Sequence, residues 1–290
     1  MMRPDLQVKL ADGTDVGYAE AGDRDGDPVL HLHGSPSSRF EVSFPAFRQA
    51  AEDLRIRLIA PDRPGMGLST LRRFSILDYA RLVGSFADAL GLERFAVTGL
   101  SGGGKYACAC AWVLSERVTR VAFVSSTCSF DLPGAKATWS REDRLLYNLA
   151  DRVPWMTRLM LAKAARDVRR DPMSLFSMLE KLGPADKEIL ARADSQQALS
   201  RNWTEAFRKG SRGPAHDLTL EARPWGVSLD KIQVPIEIWR GDDDRAVSPQ
   251  QSRILADALP LARTHFVPGE GHLLLAGNYA RDILQSVING

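Results

Sequence analysis

In the first 130 residues, short and nearly continuous apolar runs alternate with longer stretches where apolar residues recur every three or four positions. The first pattern reads as buried strand and the second as amphipathic helix. Gln7–Leu10 and Asp15–Glu20, broken by the turn Ala11-Asp12-Gly13, read as an opening hairpin. Val29–Leu32 and Ile56–Ala60 read as strands, with a short helix over Phe44–Glu52 between them. Ser75–Leu90 is the best amphipathic helix of this half. Ile76, Tyr79, Leu82 and Val83 share one face, Ser75 is the cap and Gly91 the stop. A strand at Arg94–Thr98, a helix over Lys105–Leu114 and a strand at Val118–Ser125 complete the order β-β-β-α-β-α-β-α-β. Such alternation predicts an α/β fold, with a mostly parallel central sheet carrying helices on both faces.

The alternation stops at about Asp131, and from there to Pro214 the pattern is helical with no convincing strand. The expected organisation is therefore a core of residues 1–130 and 215–290, with residues 131–214 inserted as a helical cap. In the cap Trp139, Tyr147, Trp155, Met156, Met160, Phe176, Met178, Trp203 and Phe207 recur at roughly helical spacings. Most should pack helix on helix, and some should line a pocket between cap and sheet. Arg166, Arg169 and Arg170 read as a solvated helix face. The core pattern returns with a strand at Ile236–Trp239, a helix over Pro249–Leu259, a strand at Ala262–Val267 and a closing helix over Leu273–Ile288.

Composition narrows the function classes. Lys+Arg 38 against Asp+Glu 36 leaves a net charge of +2, with no dense basic block, so nucleic acid is not an expected partner. No run approaches the length of a membrane span and the start has no apolar leader region, so a cytoplasmic protein without membrane partners is expected. Cys108, Cys110 and Cys128 lie in apolar surroundings without metal spacing and read as buried thiols of a reducing compartment. The sequence carries no signal of oligomeric state.

The chemistry concentrates in three turns that follow strands. Gly99-Leu100-Ser101-Gly102-Gly103 links a buried strand to a helix so abruptly that the serine must take a strained backbone conformation above the sheet. Side chains at Gly99 or Gly103 would keep strand and helix apart. The first helical N–H groups, beginning with Gly102, would face an oxygen bound beside Ser101. A serine hydroxyl needs a base, and the base needs an acid to hold its tautomer. Of the histidines, His272 sits in a glycine-rich turn after a strand. His31 and His265 lie within strands and read as packing or surface positions, and His216 has no evident role. Asp242, Asp243 and Asp244 crowd the turn after the preceding strand, giving the chain order Ser, Asp, His.

These segments resemble the α/β-hydrolase superfamily, specifically its capped, single-domain soluble serine hydrolases and esterases. Leu30–Pro36, LHLHGSP, is similar to the H-G-x-P oxyanion loop, and Asp62–Ser69, DRPGMGLS, to the D-x-x-G-x-G-x-S loop. Gly99–Gly103 matches the nucleophile elbow, Gly241–Val247 the G-x-x-D acid turn, and Gly269–His272 the histidine turn. The resemblance covers Val8–Asp131 and Asp217–Ile288. It implies Ser101 as nucleophile, Asp244 as acid and His272 as base. It further implies an oxyanion hole from the N–H groups of Ser35 and Gly102, with His33 and Gly34 supporting that loop. Haloalkane dehalogenases and epoxide hydrolases of the superfamily place aspartate at the elbow, which Ser101 argues against. Proline iminopeptidases carry H-G-G-P-G and G-G-S-W-G where this chain has HGSPS and GLSGG.

The expected activity is hydrolysis of a small apolar carboxylic ester through an acyl-enzyme, with a small molecule as the only partner. No cofactor and no metal is expected, because the histidines do not cluster at ligand spacing and the glycines form no nucleotide loop. The alternatives on the same residues are an aminopeptidase-like amide hydrolase, a cofactor-free perhydrolase or haloperoxidase-like enzyme, a lyase, and a ligand-binding protein without turnover. The amide reading would need a cap carboxylate such as Glu142, Glu180 or Glu205 facing Ser101.

Overall fold

A computed structural model describes residues 2–288, with the side chain of Met178 outside the description. Its core is an eight-stranded sheet. The strands are β1 (Arg3–Lys9), β2 (Asp15–Gly22), β3 (Asp27–Leu32), β4 (Ile56–Pro61), β5 (Phe95–Leu100), β6 (Val118–Val124), β7 (Ile236–Gly241) and β8 (Ala262–Val267). They lie in the order β1-β2-β4-β3-β5-β6-β7-β8. The β1–β2 and β2–β4 pairs are antiparallel, and every later pair is parallel.

The period-two alternation of a strand distributes its side chains between two cores. Val97 of β5 and Val121 and Phe123 of β6 enter one cluster, together with Tyr79, Val83 and Phe86 of α2 (Ile76–Ala89) and Tyr106 and Cys108 of α3 (Gly104–Val113). Ala96, Ala122 and Val124 face the other way. They pack with Phe47 of α1 (Pro45–Asp53) and Ile283 and Leu284 of α10 (Ala280–Ile288). Helices therefore cover both faces. Helix α2 begins as its sequence implies: Ser75 Oγ accepts from Asp78 N while the Asp78 carboxylate accepts from Ser75 N, a reciprocal cap.

Between β6 and β7 runs the inserted helical region. It comprises α4 (Arg141–Arg152), α5 (Pro154–Arg170), α6 (Pro184–Ala191), α7 (Ala193–Ala206) and α8 (Arg212–Glu221). Ala165, Leu190, Leu199 and Phe207 of this region join the second core cluster, so the insertion shares its apolar packing with the sheet. Trp155, Met156 and Met160 instead face solvent, as do Arg166, Arg169 and Arg170. The Met178 side chain lies outside the described residues. After β7 comes α9 (Pro249–Asp257). The closing helix departs from the sequence expectation: a short turn at Leu274–Ala276 precedes α10, which starts only at Ala280. The break falls at Gly277, whose backbone is extended (φ −114°, ψ −154°), and a Cβ there would come 2.8 Å from Ile189 Cδ1 of α6.

Candidate active site

Ser101 follows β5 directly and has φ +51°, a left-handed conformation that a serine adopts only when its surroundings impose it. Those surroundings are close-packed backbone. A Cβ on Gly103 would lie 2.0 Å from the Leu32 carbonyl oxygen, and one on Gly99 would lie 2.9 Å from both Ala107 Cβ and the Gly103 carbonyl oxygen. The glycines let β5, β3 and α3 converge, and that convergence lifts the serine above the sheet. Among the described residues Ser101 Oγ makes no hydrogen bond, and its side chain borders two cavities that His272 also lines.

The histidine turn and the acid turn meet at the ends of β8 and β7. His272 Nδ1 lies 3.0 Å from Asp244 Oδ2 and 3.2 Å from Oδ1. The Asp244 carboxylate is buried and also accepts from Ala246 N (2.9 Å), Val247 N (3.0 Å) and the Arg240 guanidinium. Burial alone would raise the Asp244 carboxyl. The His272 charge and hydrogen bond, Arg240 and the Val247 amide outweigh it and hold the group below its ordinary value. Burial likewise opposes a charged His272, but the Asp244 carboxylate raises it above the ordinary histidine value. The neighbouring aspartates are engaged elsewhere: Asp242 accepts from Gly269 N at 2.7 Å, and Asp243 pairs with Arg245. Asp131 is exposed and bonds Ser129, not His272.

The loop after β3 lies across the elbow. Ser35 and Gly102 line the larger cavity with Ser101 and His272. His33 is buried, with Nδ1 3.0 Å from the Gly34 carbonyl oxygen and Nε2 accepting from Arg63 N at 3.3 Å. One neutral tautomer satisfies both contacts. Burial, reinforced by the Arg63 charge, keeps His33 well below the ordinary histidine value. The Gly34 N–H donates to the Glu41 carboxylate at 3.1 Å, and His31 Nε2 lies 2.7 Å from the same group, so His31 is a buried brace beneath the loop. His265 pairs with Glu237 on β7, and His216 packs edge-on against Phe74.

A buried ionic network that no local sequence pattern signals supports this loop. Arg63 donates to the carbonyl oxygens of His33 and Gly34, to Ser35 Oγ and to Asp217 Oδ2. Asp217, on α8, also accepts from Ser35 Oγ and Tyr106 Oη. Burial would raise its carboxyl, but Arg63 and Lys105 pull it below its ordinary value. Lys105 donates to the Gly102 carbonyl oxygen at 2.8 Å and to Glu221, which also accepts from Thr127 Oγ1 at 2.6 Å. The two cations thus meet two carboxylates directly behind the elbow and its neighbouring loop.

The two cavities differ in chemistry. The smaller, about 130 Å³, is walled mainly by Phe44, Phe47, Leu100, Leu199 and Leu275, with Ser37, Glu41 and Asn202 also on its lining. The larger, about 320 Å³, adds Thr127, Asp143, Tyr147 and Glu221 to apolar walls that include Trp139 and Trp203. Glu142, Glu180 and Glu205 border neither; Glu205 is committed to Arg39 and Arg208. Among the described residues no group of three or more His, Cys, Asp or Glu side chains is placed to hold a metal ion, and no helix is long and apolar enough to cross a membrane.

Residues 27–279 match the family model described as alpha/beta hydrolase fold, and the chain belongs to that family. Among curated proteins it is 34% identical over 111 residues to Haloalkane dehalogenase 2 of Mycobacterium bovis, a match over 37% of this chain and 36% of that protein. The chain thus spans about a third of the length of that relative. Among solved structures, the epoxide hydrolase CorEH superposes with TM-score 0.74 at 19% identity, covering 99% of this chain and 98% of that one. Carboxylesterase CesB from Bacillus subtilis superposes with TM-score 0.71 at 17% identity, covering 100% of this chain and 92% of that one. The architecture, a mostly parallel sheet flanked by helices with a helical insertion, is that of the alpha/beta hydrolase fold.

Proposed function

We propose that the chain is a serine hydrolase that cleaves a small carboxylic ester through an acyl-enzyme. The observation that carries this reading is one arrangement: an unbonded Ser101 hydroxyl on a strained elbow shares a cavity with His272, whose Nδ1 rests on buried Asp244. In the reaction His272 takes the Ser101 proton as Oγ attacks the ester carbonyl, and Asp244 holds the ring and its positive charge. The amides of Ser35 and Gly102 receive the oxyanion. Collapse expels the alcohol with the proton from His272, and water activated by the same ring then releases the acid.

The cavity sizes support a division of the substrate. The mainly apolar 130 Å³ cavity suits a short acyl group, and the larger, more polar cavity suits the alcohol. The serine at position 101 supports this chemistry over that named for the dehalogenase and epoxide hydrolase relatives, whose superfamily members use an aspartate nucleophile. A second reading, amide hydrolysis of an amine-bearing substrate, has one observation in its favour: Asp143 and Glu221 line the larger cavity. Short-chain p-nitrophenyl esters assayed beside amino-acyl anilides separate the two. The proposal expects ester turnover that Ser101→Ala and His272→Ala abolish; anilide turnover without ester turnover would favour the second reading.

A further inference from the structure

Asp186 belongs to the inserted region, yet both its carboxylate oxygens are spent on the histidine turn. Oδ2 accepts from His272 N at 2.9 Å and Oδ1 from Leu273 N at 2.7 Å. The side chain is fully buried, and among the described residues no cation pairs with it. A buried carboxylate without a cation is costly unless its hydrogen bonds recover the lost hydration. Here two backbone donors do so, helped by its place in the first turn of α6, where the helix favours negative charge.

The glycines around it fit the same purpose. A Cβ on Gly271 would come 2.2 Å from Asp186 Oδ2, so the residue before His272 must be glycine for the carboxylate to reach the turn. A Cβ on Gly183, just before α6, would come 2.6 Å from Asp243 Oδ2 of the acid turn. The start of α6 therefore rests on the loops that carry His272 and Asp244 together.

We propose that Asp186 is a positioning residue for His272: the insertion, besides covering the substrate, fixes the backbone from which the base reaches Ser101. The inference rests on the reading of His272 as the base. It separates Asp186 from an ordinary packing residue, because its loss should change the imidazole itself. The charged groups facing His272 are Asp244 and Arg240 from the β7 side and Asp186 from α6; burial and Arg240 disfavour the protonated ring, while the two carboxylates favour it. Removing the Asp186 charge should therefore let the ring lose its proton at lower pH. The acid limb of kcat/KM, which needs the neutral base, should move the same way.

The test compares full-length Asp186→Asn and Asp186→Ala with Ile189→Ala, which loosens the same helix without touching the two hydrogen bonds. The measurements are kcat and KM on a short-chain p-nitrophenyl ester, the pH profile, and an NMR titration of the His272 ring in protein carrying ¹³C-histidine. A base displaced by a fraction of an ångström to an ångström should lose about tenfold in kcat in Asp186→Asn and about a hundredfold in Asp186→Ala. KM should stay nearly unchanged, and the His272 titration should move to lower pH in both variants. Ile189→Ala should melt earlier with its titration unmoved. Should Asp186→Ala fail to fold, the isosteric Asp186→Asn decides alone. Variants that titrate and turn over like the wild type would overturn the proposal. A wild type that neither hydrolyses esters nor reacts at Ser101 would instead sink the serine reading, while the NMR titration would still decide whether Asp186 acts on the ring.

Discussion

The Arg63 guanidinium donates to the Gly34 carbonyl oxygen at 2.5 Å, on the peptide whose N–H belongs to Ser35. A cation on the carbonyl side of a peptide polarises the donor on its other side, so Arg63 strengthens the proposed oxyanion donor without touching substrate. Arg63→Met should lower kcat by about tenfold, less than the loss of a whole oxyanion donor, with KM little changed. Because Asp217 would be left buried without that partner, the variant should also lose roughly 3–5 kcal/mol of stability. Steady-state kinetics and denaturant melts read the two effects separately.

Ser35 itself divides into backbone and side chain. Its hydroxyl lies between Arg63 and Asp217, at the part-buried edge of the ionic network. Ser35→Ala should therefore cost on the order of 1–3 kcal/mol of stability while leaving kcat nearly intact. Ser35→Pro removes the N–H and should cost at least about a hundredfold in kcat. A folded proline variant with full turnover would place the oxyanion donor elsewhere.

Among the three adjacent aspartates, only Asp244 faces His272. Asp244→Asn should lose on the order of ten-thousandfold in kcat, since an amide can hold the wrong imidazole tautomer. Asp242→Asn and Asp243→Asn should retain most activity. If Asp243→Asn is the inactive variant, the acid has been assigned one residue out of place.

The pH dependence follows from the signs of the shifts. His272 is raised, so the neutral ring that the proposed attack requires disappears as pH falls through a value above about 6.5, the ordinary histidine value. The kcat/KM profile should therefore show its acid limb above that value. Asp217 is depressed, so its contribution to stability is full above the ordinary aspartate range and is lost as pH falls towards its lower folded value. Thermal melts of Asp217→Asn and wild type should converge on acidification through that window.

Much of this was legible in the chain. Unbroken apolar runs ending in glycine-rich turns mark the strands and the elbow, because a parallel strand buried on both faces must be apolar throughout. Ser75 and Gly91 bracket α2 through short-range capping, which sequence carries well. What sequence could not carry is long-range. Asp186, Asp217 and Glu221 are helix acids that look like surface residues until the fold brings them to backbone amides or buried cations. The break before α10 was hidden because it rests on one extended residue, Gly277, inside an otherwise helical apolar pattern.

The central claim is a nucleophilic serine, and covalent capture tests it most directly. Wild-type protein incubated with a fluorophosphonate should gain the mass of a single adduct, which peptide mapping should place on Ser101. Ser101→Ala should gain none, and His272→Ala should react far more slowly. A folded wild type that takes no label, or takes it at another residue, would contradict the assignment.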